Sequence, residues 1–197
     1  SLEQGKRKEA RTLLLGLARM TSEEGVSPER KALAVSAMEQ LAAMSFEEGA
    51  YEEAEADHLA RASVLLELDR REAAAIALGW AAVCHSLEHP EVAPDYWSGF
   101  EDNPAWRAIP VERKVVHGTE WGRLLLEGRA MATFDAMGQW PWAKAVEAGT
   151  DVVPPEWTAR WGLLQARRWK SRPTQALAAS LHACLLYTSP SPRDTLL

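Results

Sequence analysis

The sequence predicts an all-α fold of stacked antiparallel helix pairs, with an irregular helical bundle as the alternative arrangement. Three observations lead there. Apolar residues recur at three- and four-residue steps through most of the chain, and no stretch of the first half alternates as a half-buried strand does. Helix start signals are well formed, as in "SPER", where Ser27 is placed to cap free amides and Pro28 fits the first helical position. Breaks fall at Gly49, where glycine can take the left-handed conformation, and at His89-Pro90, because a residue before proline leaves the helical region.

Taken in order, a first helix covers roughly residues 2–20 and ends near "TSEEG". The second starts at Ser27 and carries Ala34, Ala37, Met38, Leu41 and Met44 as one apolar stripe. A third presents Ala54, His58, Ala62 and Leu65, and a fourth, from about Arg70, presents Ala73, Ile76, Trp80, Val83 and Leu87. Residues 90–110 differ, with four prolines and four aromatics, and read as a long connection containing one short helix that opens at Pro104. Helix is expected again over 111–137, 142–148, 155–170 and from 174 onward. This divides the chain into N-terminal helices (1–89), an aromatic and proline-rich insertion (90–110), C-terminal helices (111–183) and a tail (184–197).

The tail changes character at Cys184, where Ala-rich helix gives way to "CLLYTSPSPRDTLL". Residues 184–194 resemble one translation frame of a transposase-end sequencing adapter, so the tail is expected to be non-native and to lack fixed structure. Cys84 is then the one native cysteine, which excludes a disulfide framework. The chain opens on Ser1 and is expected to be a fragment of a longer protein.

A net charge of −6 disfavours general affinity for nucleic acid or an anionic membrane. No apolar run has the length of a membrane span. The N-terminal "TLLLGLA" is interrupted soon after by Arg19 and lacks a cleavage site, so it reads as an amphipathic helix and the protein as cytoplasmic.

Two stretches pose a repeat question. "GAYEEAEADHL" starts at Gly49 and "GQWPWAKAVEAG" at Gly138, and both run Gly, one spacer, an aromatic, two residues, Ala. Moving the second forward by 33 residues lands on Ser171, Pro173 and Ala176 of "RPTQALAASL". A helix pair recurring every 33–34 residues is the tetratricopeptide period. On these residues the chain resembles the tetratricopeptide repeat (TPR) family over roughly 32–68 and 111–183, with Leu41-Ala42 at the Leu-small pair and Gly49, Tyr51 and Ala54 at the turn. It departs from that pattern at Ser45, where an aromatic is expected, and in the 89-residue separation of the two turns, which is no whole number of repeats. The resemblance implies a right-handed TPR-like array that holds a protein or peptide in its concave face.

Chemistry is sparser. "HSLEH" fits H-x-x-E-H, in which His85 and His89 share a helix face and could bind zinc, with Glu88 as base and Glu147 or Glu156 as distant ligand. Pro90 ends that helix directly after the second histidine, so a zinc hydrolase is the runner-up and two ordinary helix-end histidines the plainer reading. Cys84 beside His85 is no nucleophile–base pair, since neighbours on a helix point about 100° apart. No phosphate loop, dinucleotide glycine motif or paired CxxC occurs, and no cofactor is expected.

The preferred site is the insertion, where Tyr96, Trp97, Phe100 and Trp106 lie among Asp95, Glu101 and Asp102. Aromatics dominate binding hot spots, and the carboxylates suit a basic partner. Trp97 is expected on the surface, whereas Trp121 and Trp161 are expected in the core. The sequence thus points to an interaction scaffold for a protein or peptide. The helical accessory region of a signalling or regulatory protein is the further alternative.

Overall fold

A computed structural model describes residues 2–22, 25–148 and 155–170, and every regular element within them is helical. The helices are α1 (Leu2–Arg19), α2 (Pro28–Glu47), α3 (Tyr51–Glu67), α4 (Arg71–Glu88), α5 (Asp95–Ser98), α6 (Pro104–Arg107), α7 (Val111–Glu127), α8 (Met131–Gly138), α9 (Pro141–Glu147) and α10 (Pro155–Lys170). The all-α expectation holds for the described residues. The adapter-like tail and the helix expected from 174 lie outside them. No described helix is long and apolar enough to cross a membrane.

The start of α2 is as its sequence requires. Pro28 stands in the first turn, and the Ser27 hydroxyl accepts from the Arg30 amide at 3.4 Å, a long capping bond. The chain then reverses three times through one backbone turn. Left-handed residues stand at Gly49 (φ 75°), Asp69 (φ 54°) and Arg129 (φ 59°). After each, the next amide reaches back five residues: Ala50 to the Ser45 carbonyl at 2.9 Å, Arg70 to Leu65 at 2.8 Å, Ala130 to Leu125 at 2.8 Å. This is the Schellman closure, which satisfies carbonyls that the helix end would orphan.

Two sequence expectations change here. The helix expected over 111–137 is broken at Gly128–Ala130 into α7 and α8. A Cβ on Gly128 would lie 2.1 Å from Leu87 Cδ2, so the end of that side chain would have to shift. Gly138, by contrast, is the last residue of α8 and is not left-handed; the chain turns through Gln139 and an extended Trp140 before Pro141 opens α9. The two Gly-x-aromatic stretches are therefore different turns. The turn that recurs is at 48–50, 68–70 and 128–130.

Helices α2, α3 and α4 pack side by side through small and aliphatic residues, among them Val35, Met38, Ala62, Leu65, Ala74 and Ala77. Helix α4 is shared. Its Ala75, Ala82 and Val83 face a second core, rich in aromatics, supplied by residues 97–164. Tryptophan fits there because helices leave holes for it. A Cβ on Gly79 would lie 2.0 Å from a ring carbon of Trp121, and one on Gly118 would lie 2.2 Å from Trp142.

Helix α1 lies against α2. Arg11 fastens it, donating to Glu48 at 2.9 Å and to the Ser45 hydroxyl at 3.0 Å, with a further ion pair to Glu53.

Candidate functional site

Four places in the molecule bear on function, and the insertion comes first. It is not a projecting loop. Residues 94–110 make α5, a 3₁₀ turn at Phe100–Asp102, and α6, the last opening at Pro104 as expected, with Asn103 Oδ1 accepting from the Ala105 amide at 2.9 Å. Trp97 and Trp106 are 0% exposed and Phe100 is 3% exposed. Their rings pack on Trp121 and Trp140, the shortest centroid distance being 4.4 Å between Trp97 and Trp140. Trp97 Nε1 donates to the Thr133 carbonyl at 3.3 Å, and Trp106 Nε1 to Glu101 at 3.1 Å.

This corrects the expectation of a surface hot spot. Burying a large aromatic removes about 150–250 Å² from water, worth roughly 4–6 kcal/mol before entropy is counted, and that gain draws the ring inward. Burial pushes the Glu101 carboxyl up and the Lys114 amine, above the Trp106 ring, down. Of the other residues expected at that site, Asp102 is exposed and Tyr96 is half-buried, its hydroxyl donating to Glu55 at 3.3 Å. Trp121 and Trp161 are buried as expected.

The HSLEH stretch forms the end of α4. His85 and His89 do neighbour each other, with ring centroids 5.1 Å apart. His85 Nδ1, however, lies 3.1 Å from both carboxylate oxygens of Glu55 on α3, while Glu88 and His89 are exposed. Among the described residues, no three His, Cys, Asp or Glu side chains are grouped to hold a metal ion; neither Glu147 nor Glu156 joins the histidines. Cys84 is buried, and burial pushes its thiol up to about 12, the reverse of what a nucleophile needs.

The third place was not singled out by sequence reasoning. A groove of about 360 Å³ opens between α2, α3, α4 and α7. Phe46, Trp80 and His58 of its wall form an aromatic row, Phe46 and Trp80 edge to face at 6.1 Å and Trp80 and His58 stacked at 6.2 Å, with Tyr51 behind Phe46 at 5.4 Å. Phe46 and Trp80 are half-buried, unlike the tryptophans of the second core. Arg61 pairs with Glu39 at 2.9 Å beside them.

His58 and Arg61 stand one turn apart on α3. His58 is 7% exposed, its Nδ1 has no hydrogen-bond partner, and the same is true of Arg61 Nε. Burial, helped by the Arg61 charge, pushes His58 down to about 4, so its ring is neutral near pH 7. The sequence assigned His58 and Trp80 to apolar stripes. A signal was present, since a histidine and an arginine spaced i, i+3 break a stripe that is otherwise alanine and leucine.

The fourth place adjoins the third. Glu120 and Arg123 of α7 border the groove and also a recess of about 500 Å³ between α7 and α10. Trp157, half-buried, lies there under Arg160 at 4.6 Å, while its fourth neighbour Trp161 is in the core. The two openings thus adjoin at Glu120 and Arg123. Comparison with known protein families, with curated proteins and with solved structures found no match to this chain.

Proposed function

We propose that this protein is a helical scaffold that holds a peptide or protein partner, and that the partner lies along the groove formed by α2, α3, α4 and α7. One observation carries the reading: Phe46 and Trp80 are half-buried rings on a concave surface, beside the buried and unpartnered Nδ1 of His58. Large rings that are already held in place lose little freedom when a partner covers them, which is why such positions concentrate binding energy.

The helix pairs are read as a TPR-like array with this groove on its concave side. The recurring Schellman turn supports the stacking of pairs. The repeat length is not the tetratricopeptide one, because α2 begins at residue 28 and α4 at residue 71, a step of 43. A reducing, cytoplasmic setting suits the unpaired, buried Cys84.

Selection of a random peptide library displayed on phage, with the intact chain as target, tests the reading. Selected peptides should lose roughly tenfold or more in affinity when Trp80 is changed to Ala, the scale of a hot-spot residue. That variant gives up packing on the core and should melt lower than the parent, so binding is compared at a temperature where both are folded. Failure to select any binder, or binders indifferent to Trp80→Ala, would remove the groove from consideration.

A further inference from the structure

We propose that the recess between α7 and α10 receives an acidic helical segment of the partner, one whose apolar side chain stands between two carboxylates. The proposal rests on the scaffold reading and names the chemistry of what that scaffold holds.

The charge of the recess differs from that of the chain. The protein carries −6 overall, yet Arg123, Arg160 and Arg167 line the recess against Glu120 alone. Arg123 already pairs with Glu127 at 2.8 Å. Among the described residues, no carboxylate forms an ion pair with Arg160 or Arg167. Arg160 is steadied above Trp157, which fixes the guanidinium without neutralising it. Two guanidinium groups without a carboxylate partner select an anionic partner by attraction and repel a basic one.

Spacing gives the shape. Arg160, Leu163 and Arg167 follow at i, i+3 and i+7, so they share one face of α10. The two arginines stand about 10.5 Å apart along the axis. Leu163 between them is 63% exposed, a large apolar side chain left in water at the recess. A helix laid in the trough between α7 and α10 meets that face with the same period. Carboxylates seven residues apart then reach the arginines, and an apolar side chain between them covers Leu163. Glu120 and Arg123 border both this recess and the aromatic groove, so the two openings adjoin.

The test uses the intact chain and two fluorescein-labelled helical peptides that share every apolar residue. One has Glu at both charged positions, the other Lys. Fluorescence anisotropy should show the Glu peptide binding roughly tenfold tighter or better, and weakening as salt is raised. The double change Arg160→Glu with Arg167→Glu should invert the preference. Both side chains are exposed, so its melt should match the parent's, and Arg160→Gln with Arg167→Gln should abolish the preference if the reversal proves too severe.

Equal binding of the two peptides, or a preference that charge reversal leaves unchanged, overturns the proposal. The scaffold reading is judged separately. Library-selected peptides that need Trp80 but ignore the arginines would retain the groove and discard the acidic partner, whereas an empty selection would discard both.

Discussion

The contact among α2, α3 and α4 is made of alanine, valine, leucine and methionine, whereas in the contact that joins α4 to the C-terminal helices tryptophan and phenylalanine rings pack with aliphatic residues against Ala75, Ala82 and Val83. The first brings helix backbones close through small side chains spaced one turn apart. The second holds them apart with rings and then needs holes for the rings, which Gly79 and Gly118 supply. Hydrogen bonding is incomplete in both, with His58 Nδ1 and Arg61 Nε of α3 buried without a partner. In the aromatic half the indole N–H groups of Trp121, Trp142 and Trp161 are buried without a partner, while those of Trp97 and Trp106 are satisfied. Small-residue packing is tolerant and repetitive. Ring packing is specific, and each ring depends on neighbours far away in sequence.

The largest expected effect tests that dependence. Trp97→Ala should destabilise the fold by about 3–5 kcal/mol in urea unfolding, because the ring is fully enclosed and its loss leaves a cavity among Phe100, Trp121 and Trp140. A change within about 0.5 kcal/mol, the scale of a surface substitution, would mean that the insertion is a loop after all.

Acid should sharpen the contrast on the other side. His58, on α3, is held neutral with its value depressed from 6.5 to about 4. Its stabilising contribution is therefore complete above pH 6.5 and lost as pH falls through 4, by at most about 3 kcal/mol. The adjacent Asp57 acts in the opposite sense. Burial pushes its carboxyl from 3.8 up to about 6, with Arg11 opposing and Glu53 adding, so its contribution is complete below 3.8 and lost as pH rises through 6. Unfolding measured across this range should show a steeper acid loss in Asp57→Asn and a flattened one in His58→Gln. Parallel profiles for both variants and the parent would contradict the assignment.

A pair of glycines gives a smaller and more pointed comparison. Gly79→Ala gains helix propensity of about 1 kcal/mol but drives a methyl into Trp121, so it should destabilise by a net of roughly 1–3 kcal/mol. Gly162→Ala, on α10 with open space around the site, should stabilise by about 0.5–1 kcal/mol. Similar signs for the two, read from thermal melts, would show that ring-in-hole packing is not what fixes Gly79.

The same contrast decides what could be read in the sequence. Helices α2 to α4 were legible because their stripes, Ser27-Pro28 start and Gly49 stop are local features. The break between α7 and α8 was not, since its left-handed residue is Arg129, which carries no turn signature, and the adjacent Gly128 makes room for Leu87. Trp97, Phe100 and Trp106 looked like surface residues because four prolines and several carboxylates surround them. Their burial depends on Trp121 and Trp140, which no local pattern connects to them. The groove was hidden for the opposite reason. Phe46, His58 and Trp80 fall on helical faces, and periodicity alone does not tell a covered face from one that lines a cleft.

The smallest expected effect concerns α1, where, among the described residues, Ala18 packs on the small-residue cluster. Its charged fastening is Arg11, which meets Glu48, Ser45 and Glu53 where α2 hands over to α3. Glu48 and Glu53 are 41% and 62% exposed at the side chain, so water screens both pairs and each is worth well under 1 kcal/mol. Arg11→Ala should therefore lower global stability by only about 1 kcal/mol or less. Local opening is another matter, because a helix with few buried contacts unfolds separately from the rest. Hydrogen exchange should show faster exchange confined to α1 amides, with protection in α3 and α4 unchanged. If α3 and α4 lose protection together with α1, the N-terminal helices form one cooperative unit, and the tolerance ascribed to their small-residue packing is misplaced.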